Sequence, residues 1–189
     1  MKIPKIFIAC DTTNLNKIKK ILKDTQKSKI KFGYKFGLEL LNSKHGRKFV
    51  ANLKRKITFG DYKLGDIPNT CESAIKAVKD LKFNYITIHI SSGLKALKAA
   101  KRVSGSTKII GVTILTSLDN KSLKEIGFNK NIKKLVLHQA KLATKAKLDA
   151  IVCSPHEIKI VKKVFKKEII TPGIRLPNDK KGDQKRVMT

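Results

Sequence analysis

The sequence is poor in acidic residues and in arginine. Asp and Glu number 14 in 189 residues against 43 Lys and Arg, so the formal net charge is +29. Such a charge ordinarily suggests a nucleic-acid partner. Only five of the 43 basic residues are arginine, however, which is the usual residue for bidentate contacts to phosphates and bases. Because the lysines occur in nearly every segment, we interpret them as a solvated surface and expect no nucleic-acid partner.

Cysteine is also scarce. Cys10, Cys71 and Cys153 are odd in number, far apart and without a Cys-x-x-Cys pair, which predicts reduced, buried thiols in a cytoplasmic protein. The four histidines show no ligand spacing with cysteines or acids, so no zinc site is expected.

Long apolar runs are missing as well. None approaches the length of a membrane-spanning helix, and Asp11 interrupts the N-terminal apolar stretch before it resembles a signal peptide. We therefore expect a cytoplasmic protein without a membrane partner. With 41% hydrophobic residues, the chain is long enough to bury one sizeable core, which predicts a single domain over residues 1–189.

Short apolar runs alternate with helix-patterned segments along this chain. The pattern predicts seven strands, at residues 5–10, 30–36, 57–63, 85–90, 108–115, 150–153 and 168–171. Nearly continuous apolar strands that alternate with helices are typical of a parallel sheet covered by helices. Thr12 and Thr13 are predicted to cap the first helix, and Asn69 with Glu72 has the form of a capping box.

Polar residues gather at or just past the C-terminal ends of the predicted strands, which is typical of an α/β barrel of the TIM (β/α)8 type whose chemistry lies on its C-terminal face. They are Asp11, Lys35, Asp61, Lys63, His89, Thr116, Ser117 and Arg175. The competing architecture is a doubly wound open sheet. It would more often carry a glycine-rich turn after the first strand, and residues 11–14 contain no glycine.

Residues 61–70 carry the densest cluster of reactive side chains. Asp61 and Lys63 would project from the same side of a regular strand, and Asp66 follows after Gly65. Two carboxylates beside one lysine favour its charged form, so Lys63 would donate a proton. A surface salt-bridge cluster is the alternative for a lone Asp-x-Lys. His89 is interpreted as a scaffold residue, because Lys63 already supplies an acid.

Six segments, in order, resemble the orotidine 5'-phosphate decarboxylase family. They are ACD (9–11), YKFG (34–37), GDYKLGDIPNT (60–70), GVTILTS (111–117), TPGIR (171–175) and GDQKR (182–186). The resemblance implies a carboxy-lyase that converts orotidine 5'-phosphate to UMP, in the last step of de novo pyrimidine synthesis, without metal or cofactor.

The resemblance also implies roles for individual residues. Lys63 would protonate carbon 6 of the pyrimidine as carbon dioxide leaves, and Asp61 would lie against the departing carboxylate. Lys35 would tie Asp61 to the ribose, whose hydroxyls Asp11 would also bind. Family members are homodimers, so three residues would reach the neighbouring subunit's site: Asp66, Ile67 and Thr70. Base and phosphate would be contacted by Thr116, Ser117, Pro172, Arg175 and Gln184.

The sequence departs from the family pattern at its C-terminal end. Family members continue with a helix, an eighth strand and a Gly-Arg pair that binds the phosphate, whereas this sequence ends at Thr189. We therefore expect seven strand–helix units, an eighth that is missing, and weak or absent activity of a C-terminally truncated chain.

Two alternative functions stay open at this point. Sugar-phosphate decarboxylases and hexulose-phosphate synthases share an Asp-x-Lys-x-x-Asp pattern but use a metal, and residues 67–70, 115–117 and 183–186 point away from them. A basic, non-catalytic nucleic-acid-binding protein would explain the charge, but it would not explain the acids at Asp61 and Asp66.

Overall fold

The computed structural model describes residues 6–54, 56–174, 185, 186 and 188. Within these ranges the strands are β1 (Ile6–Ala9), β2 (Phe32–Phe36), β3 (Ile57–Leu64), β4 (Tyr85–His89), β5 (Lys108–Val112), β6 (Ala150–Val152) and β7 (Glu168–Ile170). The helices are α1 (Leu15–Asp24), α2 (Leu38–Leu41), α3 (Gly46–Ala51), α4 (Pro68–Ala77), α5 (Gly93–Arg102), α6 (Asn120–Glu125), α7 (Ile132–Lys145) and α8 (Ile158–Val164).

The strands form one parallel sheet in strictly sequential order, β1 to β7. At least one helix joins each pair of successive strands. A doubly wound sheet would reverse its strand order at a switch point, and this sheet does not. Sequential parallel order is the winding of a (β/α) barrel, which confirms the predicted fold class and its seven strands.

Side chains that meet across the inner face show that the sheet is curled. The Phe7 ring on β1 lies 5.2 Å from the Tyr85 ring on β4. Tyr85 in turn directs its hydroxyl at Glu168 on β7, with 3.4 Å between the oxygens. In a flat sheet, strands three positions apart are separated by about 14 Å. Both contacts therefore require the sheet to bend around a common interior.

The convex face of the sheet carries the larger hydrophobic core. Each long helix buries at least one apolar residue completely or almost completely against it, and the residues are Ile18 of α1, Ile75 of α4, Leu97 of α5, Val136 of α7 and Val161 of α8. A smaller cluster fills the inner face, where Ile57, Phe59, Tyr85, Ile110 and Ala150 pack together. Two separate apolar faces explain why the strands are nearly continuous in apolar residues.

Two helix starts differ from the sequence prediction. Asn14, not Thr12 or Thr13, caps α1, because its side-chain oxygen accepts the amides of Asn16 and Lys17 at 3.0 and 3.1 Å. The capping box predicted at Asn69 was also wrong. The N-cap is Ile67, two residues earlier, and helix α4 begins at Pro68, whose fixed φ suits a first helical position.

Candidate active site

Four charged side chains of alternating sign lie in a row at the C-terminal ends of β1, β2 and β3. The Lys35 ammonium is 2.9 and 3.0 Å from the two carboxylate oxygens of Asp11. It also lies 3.5 Å from Oδ2 of Asp61. The same oxygen accepts a 2.7 Å hydrogen bond from Lys63. The structure therefore brings together four of the residues that the sequence singled out.

Asp61 is the central and most buried member of this row. Its side chain is 11% exposed, whereas that of Lys63 is 35% exposed. A carboxylate removed from water is costly unless charges and hydrogen bonds compensate it. Two ammonium groups and the Thr87 hydroxyl, which donates to Oδ1 at 3.0 Å, provide this compensation. The result is a fixed cation, Lys63, held at the mouth of the barrel.

The backbone of β3 departs from a regular strand between these residues. Gly60 pairs with Ile86 and Leu64 pairs with Ile88, so β3 advances by four residues where β4 advances by two. Lys63 has φ 49, in the left-handed region. Asp61 and Lys63 thus meet as predicted, but through a β-bulge and not through the simple alternation of a regular strand.

His89, at the end of β4, borders the same site. The pKa of its imidazole is lowered, first by burial and then by the Lys63 ammonium, while Asp61 opposes the shift. Burial and the Lys63 ammonium thus favour the neutral form of the ring. The scaffold role expected from the sequence stays a prediction, because a neutral imidazole can also accept a proton.

The acid predicted to be the second partner of Lys63 lies elsewhere. Asp66 accepts the amide of Ile67 at 2.7 Å and, within the described part of the chain, forms no ion pair. Ile67 is 65% exposed, and Thr70 is exposed on the first turns of α4. The structure therefore presents these three residues on the outside of the subunit.

Thr116 and Ser117 follow β5 and are partly buried at the same end of the barrel. The carbonyl of Thr116 accepts the amides of Lys185 and Arg186 at 3.1 and 3.2 Å. The Arg186 guanidinium pairs with buried Glu157 and donates to the Leu115 carbonyl at 3.0 Å. These bonds bring Lys185 and Arg186 back to the loop after β5.

The structure describes one of the three C-terminal residues that were predicted to contact base and phosphate. Pro172 lies just after β7 and is partly buried. Arg175 and Gln184 lie outside the described residues.

The family is decided by comparison with known proteins. The family model for the orotidine 5'-phosphate decarboxylase / HUMPS family matches residues 4–189. The chain belongs to this family. The resemblance drawn from the six sequence segments is thereby confirmed.

Individual relatives of the orotidine 5'-phosphate decarboxylase / HUMPS family agree. An orotidine 5'-phosphate decarboxylase of Prochlorococcus marinus (strain MIT 9215) is 40% identical over 199 residues, which cover 98% of this chain and 81% of the relative. The structure of the Lactobacillus acidophilus orotidine 5'-phosphate decarboxylase matches with TM-score 0.79 and 30% identity over 92% of this chain and 82% of that one. The Methanocaldococcus jannaschii orotidine 5'-monophosphate decarboxylase, solved with the inhibitor BMP, matches with TM-score 0.76 and 25% identity over 96% and 83%.

Sequence reasoning missed two residues that shape this family site, Thr87 and Arg186. Thr87 sits inside the apolar run of β4, where a threonine is ordinarily a strand residue without a site role, so no signal marked it. Arg186 was visible only as part of a motif. The spacing of Ser154 and Glu157 has the form of a capping box, and the structure forms one there. The Glu157 carboxylate in turn forms an ion pair with Arg186.

Neither a metal cluster nor a membrane span is found among the described residues. In residues 6–54 and 56–174, no three His, Cys, Asp or Glu side chains are grouped so that they would hold a metal ion. Over the same part of the chain, no helix has the length and apolar character needed to cross a bilayer.

Proposed function

We propose that this chain is a carboxy-lyase that converts orotidine 5'-phosphate to UMP and carbon dioxide. The observation that carries the proposal is the Asp11–Lys35–Asp61–Lys63 row at the C-terminal strand ends, with the Lys63 ammonium 2.7 Å from Asp61. Family membership and relatives named orotidine 5'-phosphate decarboxylase support the same reaction.

Lys63 supplies the two things that this reaction needs. When the bond between carbon 6 and the carboxylate carbon breaks, its electron pair stays on carbon 6, outside the ring's π system. A preorganised cation at that point stabilises the developing charge. The Lys63 ammonium then transfers its proton to carbon 6, and solvent restores the proton.

The other members of the row hold Lys63 and the substrate. Asp61 fixes the Lys63 ammonium and lies where the substrate carboxylate departs. Lys35 joins Asp61 to Asp11, and these two residues bind the ribose hydroxyls. Thr116, Ser117, Pro172, Arg175 and Gln184 are proposed to contact base and phosphate. Binding of the remote phosphate would be used to orient the base.

The working form is proposed to be a homodimer. Asp66 has no ion-pair partner in the described part of its own chain, and the apolar side chain of Ile67 is 65% exposed. A second copy of the chain could supply an ion-pair partner for Asp66 and bury the side chain of Ile67. Asp66, Ile67 and Thr70 would then contribute to the partner's site.

A cytoplasmic location is proposed from the thiols. All three cysteines are free and buried. Burial raises the pKa of Cys10 to about 11 and that of Cys153 to about 12. Protonated, buried thiols suit a reducing compartment.

The proposal is tested by UMP formation from orotidine 5'-phosphate with the unmodified chain and with Lys63→Ala, each prepared with and without a family-type C-terminal extension. We expect Lys63→Ala to lower kcat by at least about 10³-fold, because both charge stabilisation and proton transfer are lost. Lys98→Ala, which removes an exposed lysine of α5, is the control and should keep full activity. Equal activity of Lys63→Ala and the unmodified chain would refute the proposal. Activity that EDTA abolishes and Mg²⁺ restores would favour the metal-dependent sugar-phosphate alternative.

A further inference from the structure

Thr87 lies beneath the charged row and contacts two of its members. Its side chain is completely buried on β4. The hydroxyl donates to Oδ1 of Asp61 at 3.0 Å. The hydroxyl oxygen also accepts the backbone amide of Lys63 at 2.8 Å. One hydroxyl group therefore joins the side chain of Asp61 to the backbone of Lys63.

The β-bulge explains why the Lys63 amide uses a side chain as its acceptor. Between Gly60 and Leu64 the ladder with β4 is interrupted, so Lys63 lacks a regular strand partner there. A partly buried amide without an acceptor would be costly, as would the left-handed conformation of a non-glycine residue. The Thr87 hydroxyl replaces the missing ladder bond and stabilises that conformation.

The second bond of Thr87 sets the rotation of the Asp61 carboxylate. With Oδ1 held by Thr87, the other oxygen, Oδ2, faces both ammonium groups, at 2.7 Å from Lys63 and 3.5 Å from Lys35. The hydroxyl has one proton, and donating it to Asp61 leaves its lone pairs for the Lys63 amide. Both bonds are therefore made at once, in one consistent arrangement.

We propose that Thr87 is a positioning residue of the decarboxylase site, which sets the backbone of Lys63 and the carboxylate of Asp61 through one hydroxyl. The inference rests on the proposed function and deepens it. Thr87 acts through these two residues, because its hydroxyl is bonded to both of them. Its contribution is to fix the ammonium where charge develops, so its loss acts on the chemical step more than on substrate binding.

Two substitutions separate the hydroxyl from the shape of the side chain. Thr87→Val keeps the branched shape and removes the hydroxyl, whereas Thr87→Ser keeps the hydroxyl and removes a methyl group. We expect Thr87→Val to lower kcat by about 10²-fold with KM changed less than about threefold. Thr87→Ser should stay within about fivefold of the unmodified chain in kcat.

A matched control removes a second buried threonine hydroxyl away from the row. Thr113 is 3% exposed and donates to the Val152 carbonyl at 2.9 Å. Thr113→Val should destabilise the fold to a similar extent but leave kcat within about threefold. An equal fall of kcat in Thr113→Val and Thr87→Val would overturn the proposal, since general loosening of the sheet would then explain both.

Amide hydrogen exchange gives a readout that does not depend on turnover. The Lys63 amide should exchange at least about 10-fold faster in Thr87→Val than in the unmodified chain, and should stay slow in Thr87→Ser. The Ile86 amide in the neighbouring strand is the internal control. If neither the unmodified chain nor any variant forms UMP, the proposed function fails. The exchange rates still decide, in that case, whether Thr87 positions Lys63. Unchanged Lys63 exchange in Thr87→Val, or faster exchange with unchanged kcat, overturns the inference.

Discussion

At the scale of single residues, the site depends on which groups bind the two carboxylate oxygens of Asp61. One of its oxygens accepts from Lys63 and lies near Lys35, while the other accepts from Thr87. The pairing of Asp61 with Lys63 could be predicted, because the two residues are close in sequence and carry opposite charges. Thr87 could not be predicted, because its contact depends on the register of two strands across a bulge that sequence periodicity does not reveal.

A glycine provides the space for the Asp11 carboxylate. A Cβ at Gly37 would stand 2.8 Å from Oδ1 of Asp11, which is too close, whereas a Cβ at Gly65 would meet its nearest atoms at 3.7 Å. Neither glycine has a positive φ. The two positions therefore form a matched pair at one site, in which the difference is space and not backbone strain.

We predict that Gly37→Ala raises KM for orotidine 5'-phosphate by about 10-fold, because it displaces Asp11 from Lys35 and from the ribose hydroxyls that Asp11 is proposed to bind. The free energy of unfolding should change by less than about 1 kcal/mol, since the Asp11 side chain can move. Gly65→Ala should leave KM within about twofold. Steady-state kinetics of the two variants provides the measurement, and equal KM values would contradict this account of Asp11.

At the scale of elements, the strands were easier to predict than the ends of the helices. All seven strands lie where apolar runs indicated them, because each run must fill two apolar faces. Helix starts depend on which of several polar residues turns its side chain back to the backbone. Thr12, Thr13 and Asn14 follow one another and could each cap α1, and the structure shows that Asn14 is the cap.

We predict that Asn14→Ala lowers the free energy of unfolding by about 1 kcal/mol, because two amides of the first turn of α1 lose their acceptor. Thr13→Ala is the control, since Thr13 is exposed and precedes the cap, and it should change stability by less than about 0.5 kcal/mol. Urea unfolding of both variants at one pH tests the difference. A larger effect from Thr13→Ala would restore the original prediction of the cap.

At the scale of the whole molecule, the sequential order of the strands connects fold and site. Asp11, Lys35 and the Asp61–Lys63 pair come from three neighbouring parallel strands, so their C-terminal ends meet at one edge. This arrangement was predictable once a barrel had been inferred. The placement of Asp66 outside its own subunit's row was not derivable from spacing, because it depends on where α4 begins.

The net charge of +29 surrounds a site whose own charges are largely paired. Orotidine 5'-phosphate carries a carboxylate and a phosphate, about three negative charges at neutral pH. A strongly positive surface attracts such an anion over a distance set by the ionic strength. The lysine-rich surface is thus expected to act on substrate association without a nucleic-acid partner.

We predict that kcat/KM for orotidine 5'-phosphate falls by about 10-fold or more between about 20 and 500 mM KCl, because salt screens the attraction. The inhibition constant of UMP should rise over the same range, whereas that of uncharged uridine should stay nearly constant. This pair separates screening of the phosphate from a general effect of salt on the fold. A flat kcat/KM, or equal salt dependence for UMP and uridine, would mean that the surface lysines do not steer the substrate.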